Sequence, residues 1–346
     1  MTTIGVGTVK GAFFLRRNGA GWDFDGPQFK GWAVTTFGRS PSGDHLLGTG
    51  SNWFGAAIHR SADLEAWEQV VDGPAWPEGG DRKLNNVWTI ATTGDTAYAA
   101  VDEAGLFRSD DDAASWQPVT AFNEHPTRPG WQPGFGGLAA HRLLIDPQRP
   151  ERMWLGVSAV GVFRTEDGGD SWQLVNRGVT KPAPDPDDAE IGYCVHCLVA
   201  DPDDPEAIWR QEHTGVYRTS DGGDTWERIE QGLPARFGFP IVRDDPSGAL
   251  FVVPLESDEH RMPVGGEFRV YRSTDRGDTW HVSGEGHPDR PMYSGVLRDA
   301  MATDGEGGVY LGSTAGTLHL SEDGGDHWTA LPQVLPRILS VAVLEP

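Results

Sequence analysis

Thr165-Glu166-Asp167-Gly168-Gly169-Asp170-Ser171-Trp172 is the stretch on which the fold turns, because it comes back along the chain. Thr219-Ser220-Asp221-Gly222-Gly223-Asp224-Thr225-Trp226, Ser273-Thr274-Asp275-Arg276-Gly277-Asp278-Thr279-Trp280 and Ser321-Glu322-Asp323-Gly324-Gly325-Asp326-His327-Trp328 repeat it almost residue for residue. Ser109-Asp110-Asp111-Asp112-Ala113-Ala114-Ser115-Trp116 is a weaker copy, and Ser61-Ala62-Asp63-Leu64-Glu65-Ala66-Trp67 is one residue shorter. Asn18-Gly19-Ala20-Gly21-Trp22 is a faint seventh. Short strands recurring with a period of roughly 50 residues are the signature of propeller blades.

Each position of the octad has a physical reason. An Asp carboxylate accepts hydrogen bonds from the backbone N–H groups of a tight turn. The Gly takes a positive φ at no steric cost. The Trp covers apolar surface where the next strand begins. The octads therefore read as hairpin turns, with aspartates that staple them rather than catalyse. The spacing and closing Glu of an EF-hand calcium loop are missing.

Around the fourth copy, residues 138–145, 152–157, 162–165 and 172–175 read as four successive strands. The octad joins the third to the fourth, and Asp146-Pro147-Gln148-Arg149-Pro150 joins the first to the second. These two turns share one end of the blade, so the other connections lie at the opposite end. Blade five repeats the plan with Asp201-Pro202-Asp203-Asp204-Pro205. The C-terminal run Leu339-Ser340-Val341-Ala342-Val343-Leu344 reads as a lone inner strand, and residues 4–9 and 12–16 as the strands it joins. Pairing the two chain ends would close the sheet circle and hide its edges. The expected fold is all-β: one seven-bladed β-propeller domain over residues 1–346.

The octads resemble the Asp-box, or BNR repeat, S/T-x-D-x-G-x-S/T-W, of the sialidase-like propellers, and they recur over almost the whole chain. The resemblance implies a propeller with sialidases, xyloglucan-cleaving enzymes, sortilin-type receptors and the photosystem II assembly propeller among its relatives. It does not by itself imply catalysis. A true sialidase is not expected, because Phe13-Phe14-Leu15-Arg16-Arg17-Asn18 stands where that group carries Arg-Ile-Pro.

Composition narrows the partners. Asp and Glu number 51 against 28 Lys and Arg, a net charge of −23. Such a field repels phosphate backbones and anionic lipid, so neither nucleic acid nor membrane is an expected partner. No run approaches the ~18 apolar residues of a membrane helix. Met1-Thr2-Thr3-Ile4-Gly5 lacks a basic region followed by an apolar one, so the expectation is a cytoplasmic protein. Cys194 and Cys197 fall in a run, residues 193–200, that reads as a strand. There i and i+3 point to opposite faces, which favours two buried thiols over a disulfide or zinc. Gly5-Val6-Gly7-Thr8-Val9-Lys10-Gly11 has the wrong spacing for a dinucleotide site, and no cofactor is expected.

Function is sought at the end away from the octads, where residues 72–86, 120–137, 178–192 and 284–294 form long connections. Long loops on a rigid frame are where binding residues concentrate. Their Trp76, Trp131 and Tyr293 read as an aromatic rim suited to a sugar. A second clue compares blades. Blade four reads Trp154-Leu155-Gly156-Val157-Ser158-Ala159-Val160-Gly161, whereas blade five reads Trp209-Arg210-Gln211-Glu212-His213-Thr214-Gly215. Where one repeat turns polar, packing alone did not require the change. His141, His196 and Asp299 stand at matching inner-strand positions. They would suit a divalent metal, but satisfied core groups are the simpler reading, and no metal is expected.

The candidate catalytic residues are thus Glu212, His213 and Asp299. The candidate substrate-binding residues are Trp53, Trp88, His141, His196, Arg210, Gln211, Tyr293 and Arg298. The expected function is binding of a small polar or carbohydrate ligand, with glycoside hydrolysis or lysis by a carboxylate pair as its chemistry. The alternative is a non-catalytic scaffold of the photosystem II assembly type.

Overall fold

The computed structural model describes every residue except Met1, Ala20, Phe135, 183–189 and Pro346. Ala20 of the faint seventh octad and part of the 178–192 connection thus lie outside the described residues. The described chain is almost wholly β. It groups into two compact units, one of Met1–Gly31 with His196–Pro346 and one of Trp32–Val195.

The Trp32–Val195 unit holds three four-stranded antiparallel sheets. One of them runs Ala140–Ile145, Met153–Val157, Gly161–Thr165 and Gln173–Leu174, within two residues of the sequence reading. The other unit holds two four-stranded sheets, Cys197–Ala200 to Glu227–Arg228 and Phe237–Asp244 to His281–Val282. It also holds an eight-stranded sheet. In that sheet Ile338–Glu345 pairs antiparallel with Thr3–Thr8, which pairs with Gly11–Asn18, so the chain ends join as expected. A single parallel bridge, Asp299 to Ser340, links them to the neighbouring strands.

The octads form the turns their composition calls for. Asp167 Oδ1 accepts from the Ser171 N–H at 2.9 Å and Oδ2 from the Ser171 hydroxyl at 2.6 Å. Thr165 Oγ1 accepts from the Gly169 N–H at 3.0 Å, and Gly169 stands at φ 101°. The side-chain and backbone bonds of Ser171 and Thr165 hold the Asp167 carboxyl at a pKa of about 2. The tryptophans then tie one repeat to the next. Trp280 Nε1 donates to Ile229 O and Trp328 Nε1 to Ser283 O, each at 2.9 Å, and both rings are buried. Replacing Asp167 by Ala removes the staple and is expected to destabilise by about 1–2 kcal/mol, read as a shift of the urea midpoint.

Acid should unfold the protein in two stages. Burial holds the His59 and His319 imidazoles at a pKa of about 4, against 6.5 when unfolded. The native state therefore binds fewer protons than the unfolded chain below pH 6.5. Stability is complete above that value and falls as pH drops from 6.5 towards 4. The stapled aspartates Asp111 and Asp167, held near pKa 2, extend the loss below pH 4. Calorimetric melting temperatures should be level from pH 7.5 to about 6.5 and fall from there to pH 3; a flat profile down to pH 4 would remove the histidine contribution.

Two expectations are corrected. Residues 193–200 do not form one strand: pairing starts at Cys197, because the Tyr193 N–H is taken by Val160 O. Both cysteines are free thiols, Cys197 buried and Cys194 only half-buried.

Candidate functional site

The strand Ile208–Gln211 pairs antiparallel with Val216–Thr219, setting Gln211 opposite Val216 and Ile208 opposite Thr219. The octad begins at Thr219, so Glu212 and His213 lie at the other end of the sheet.

There the polar stretch splits by depth. Arg210 and Glu212 are fully buried and form an ion pair, Nη2 to Oε2 at 2.6 Å. The Thr214 hydroxyl donates to the other carboxylate oxygen of Glu212 and sits 2.8 Å from the Tyr217 hydroxyl. The Arg210 guanidinium lies 5.8 Å from the Trp226 ring. Gln211 is buried too, its amide donating to the carbonyls of Glu212, Gly215 and Arg236. A Cβ on Gly238 would stand 3.1 Å from the Gln211 side chain, so glycine at 238 makes that position available. Arg210, Gln211 and Glu212, expected where a ligand docks, are interior groups that shape the turn. Hydrogen-bond demand draws them inward, since buried polar groups are held only when paired.

His213 is the member of the stretch that reaches the surface, at 21% side-chain exposure. Its Nδ1 is 3.4 Å from Asp258 Oδ2, and its ring lies 4.8 Å from His196 and edge-on to Phe237 at 5.1 Å. Burial lowers the His213 pKa; Asp258 pulls it up, while Arg261 and Arg298 push it down. His196 is buried, and its Nδ1–H donates to Gly238 O at 2.6 Å, its ring 4.6 Å from Phe239. The Arg261 and Arg298 guanidinium carbons lie 5.5 and 5.7 Å from the Phe239 ring centre. The loop that carries Asp258 and Arg261 is pinned by bonds from Glu256 N–H to Met262 O and from Arg261 N–H to Ser257 O. Arg261 itself takes a left-handed backbone, φ 50°.

The result is a partly open imidazole with a carboxylate on one side and aromatic rings beneath. It can exchange a proton or hydrogen bond with a bound hydroxyl. Phe237 was not singled out by sequence. Its signal was the run Phe237-Gly238-Phe239-Pro240 at the inner-strand place that other blades give to His.

Of the remaining candidates, Arg298 stands at the same place, beside Phe239. Asp299 and Arg298 are half-buried in Val296–Thr303, and Tyr293 is 66% exposed. In the other unit, His141 is buried with Nε2 2.7 Å from Val195 O, Trp88 is half-buried, and Trp53 is 89% exposed. The expected aromatic rim is reduced: Trp131 is buried among Phe122 and Phe163, and Trp76 lies under Arg82 and edge-on to Phe107. Among the described residues no helix is long and apolar enough to cross a membrane.

These sheets define an all-β protein of the propeller kind. No family model matches the chain. Among curated proteins it is similar to a xyloglucanase of Paenibacillus sp, 25% identical over 286 residues, covering 76% of this chain and 26% of that protein. It is also similar to the photosystem II assembly lipoprotein Ycf48 of Synechococcus sp., 24% identical over 59% of each chain. The chain thus spans about a quarter to a third of the length of the xyloglucanases it matches first. Two solved structures share the fold. The Niastella koreensis GH74 enzyme has a TM-score of 0.57 at 18% identity, covering 86% of this chain and 45% of its own. YCF48 bound to a D1 peptide has 0.56 at 16%, covering 87% and 81%.

Proposed function

We propose that the chain is one seven-bladed Asp-box propeller that binds a carbohydrate or other polar ligand at the His213 end of its sheets. The eight-stranded sheet reads as two four-stranded blades joined by one bridge, which with the five other sheets makes seven. The observation that carries the binding reading is the half-exposed pair His213–Asp258 beside Phe237 and Phe239. An imidazole and a carboxylate for the hydroxyls of a sugar, over an apolar floor backed by the buried Phe237 and Phe239, match the composition of small-ligand sites. Likeness to xyloglucanases supports glycan as the ligand class, and hydrolysis would draw on Asp258 and Asp299 as its carboxylates. The reading of a scaffold propeller is favoured by one observation: Glu212, the most distinctive carboxylate of the repeats, is used internally. Titration of xyloglucan oligosaccharides by calorimetry, with reducing-end release followed in parallel, separates the two. Binding with release supports the hydrolase, binding alone a lectin-like propeller, and neither leaves the scaffold.

A further inference from the structure

We propose that Cys194, His196 and His213 form a zinc-binding site. Among the described residues they are the one group of three metal-ligating side chains that converges: one donor atom from each lies within 4.8 Å of the other two. Zinc is held by thiolate at about 2.3 Å and by imidazole at about 2.0–2.1 Å, so a tetrahedral site spaces such atoms roughly 3.3–3.6 Å apart. The remaining closure falls to His213, which stands in the bend between the strands Ile208–Gln211 and Val216–Thr219 and is 21% exposed. Cys194 and His196 are two residues apart on one segment, so the backbone that sets one sets the other. Residues two apart on an extended chain share a side, and residues three apart do not. Cys197 accordingly turns away, its thiol 3.4 Å from Ile241 O, and the second cysteine takes no part.

Both imidazoles are oriented as ligands. The His196 Nδ1–H donates to Gly238 O at 2.6 Å, which puts the ring's lone pair on Nε2. His213 Nδ1 faces Asp258 Oδ2 at 3.4 Å, the carboxylate–histidine arrangement that supports a metal-bound imidazole. A histidine that merely fills the core needs neither a second imidazole with its ring centre 4.8 Å away nor a half-buried thiol beside it. Nitrogen and sulfur suit zinc, whereas calcium and magnesium take oxygen. The Cys194 thiolate and Asp258 offset the ion's charge beside Arg261 and Arg298, the cations acting on His213. The net charge of −23 favours a cation over the whole surface. Three protein ligands leave a fourth position for water or a bound group.

The test uses the full chain, reduced, stripped of metal with a chelator and titrated with cobalt(II) and then zinc. No sugar is present, so the result is separate from that of the ligand reading. One equivalent of cobalt should bring up a thiolate-to-metal charge-transfer band in the near ultraviolet and the strong visible absorption of a four-coordinate ion, and zinc should displace both. Cys194→Ser, melting as the metal-free wild type does, should lose the charge-transfer band, while Cys197→Ala should keep it. Asp258→Asn should weaken zinc binding roughly 10–100-fold, as loss of the group behind a ligating histidine does, and His213→Ala should weaken it further. No saturable cobalt spectrum, a charge-transfer band that survives Cys194→Ser, or an unchanged zinc affinity in His213→Ala would each overturn the assignment.

Discussion

Replacing Arg210 by Met will destabilise the protein by about 3–5 kcal/mol, more than any surface change in the same sheet. The reason is the depth of the pair: neither Arg210 nor Glu212 is reached by solvent. Removing the guanidinium leaves the carboxylate with the hydroxyl and backbone N–H of Thr214. Burial already pushes the Glu212 carboxyl up, and Arg210 is the largest of the interactions that pull it down. In Arg210→Met the carboxyl is therefore expected to take up a proton. A folded pKa above the unfolded one gives stability that is present at low pH and lost as pH rises. The deficit of the variant should accordingly grow from pH 5 to pH 8, the reverse of the wild-type trend from the histidines. Arg210→Met combined with Glu212→Leu should recover most of the loss, since an apolar pair of similar volume is tolerated where a lone charge is not. Urea midpoints at several pH values measure all three chains. A single variant as stable as the wild type would mean that the pair is not buried.

That pair also marks where sequence reasoning reached its limit. The octads were legible because each residue serves a local turn: Asp167, Gly169 and Ser171 meet within one hairpin, so their spacing carries the geometry. The pairing of residues 339–344 with the N-terminal strand was legible from the repeat, which left one strand unpartnered at each end. Whether Glu212 points in or out was not. A strand alternates sides at every residue, and the turn after Gln211 breaks that alternation. Partners such as Trp226 and Tyr217 are fixed only by packing. Asp258, which faces His213, lies 45 positions away in a loop with no repeat to calibrate it. Unusual residues in a repeat were a fair guide to a special place, but not to whether the place is a site or a buried staple.

His213→Ala should weaken ligand binding at least tenfold, or about 1.4 kcal/mol, while shifting the melting temperature little. The imidazole is partly exposed and its polar neighbour Asp258 is half in solvent, so truncation strands no buried group. This contrasts with Arg210, which is fully buried in the same stretch. Proton dependence gives the assignment its sharper edge. Burial holds the His213 pKa below 6.5, so the ring is neutral at pH 7 and offers one donor and one acceptor. Affinity should then be level from pH 8 to 6.5 and fall in acid as the ring is protonated. Asp258 raises that pKa, so Asp258→Asn should move the acid limb to still lower pH. A ligand held by Arg261 and Arg298 alone would show neither the limb nor its displacement. Binding that survives His213→Ala intact, with an unchanged pH profile, would move the site away from the His213 end altogether.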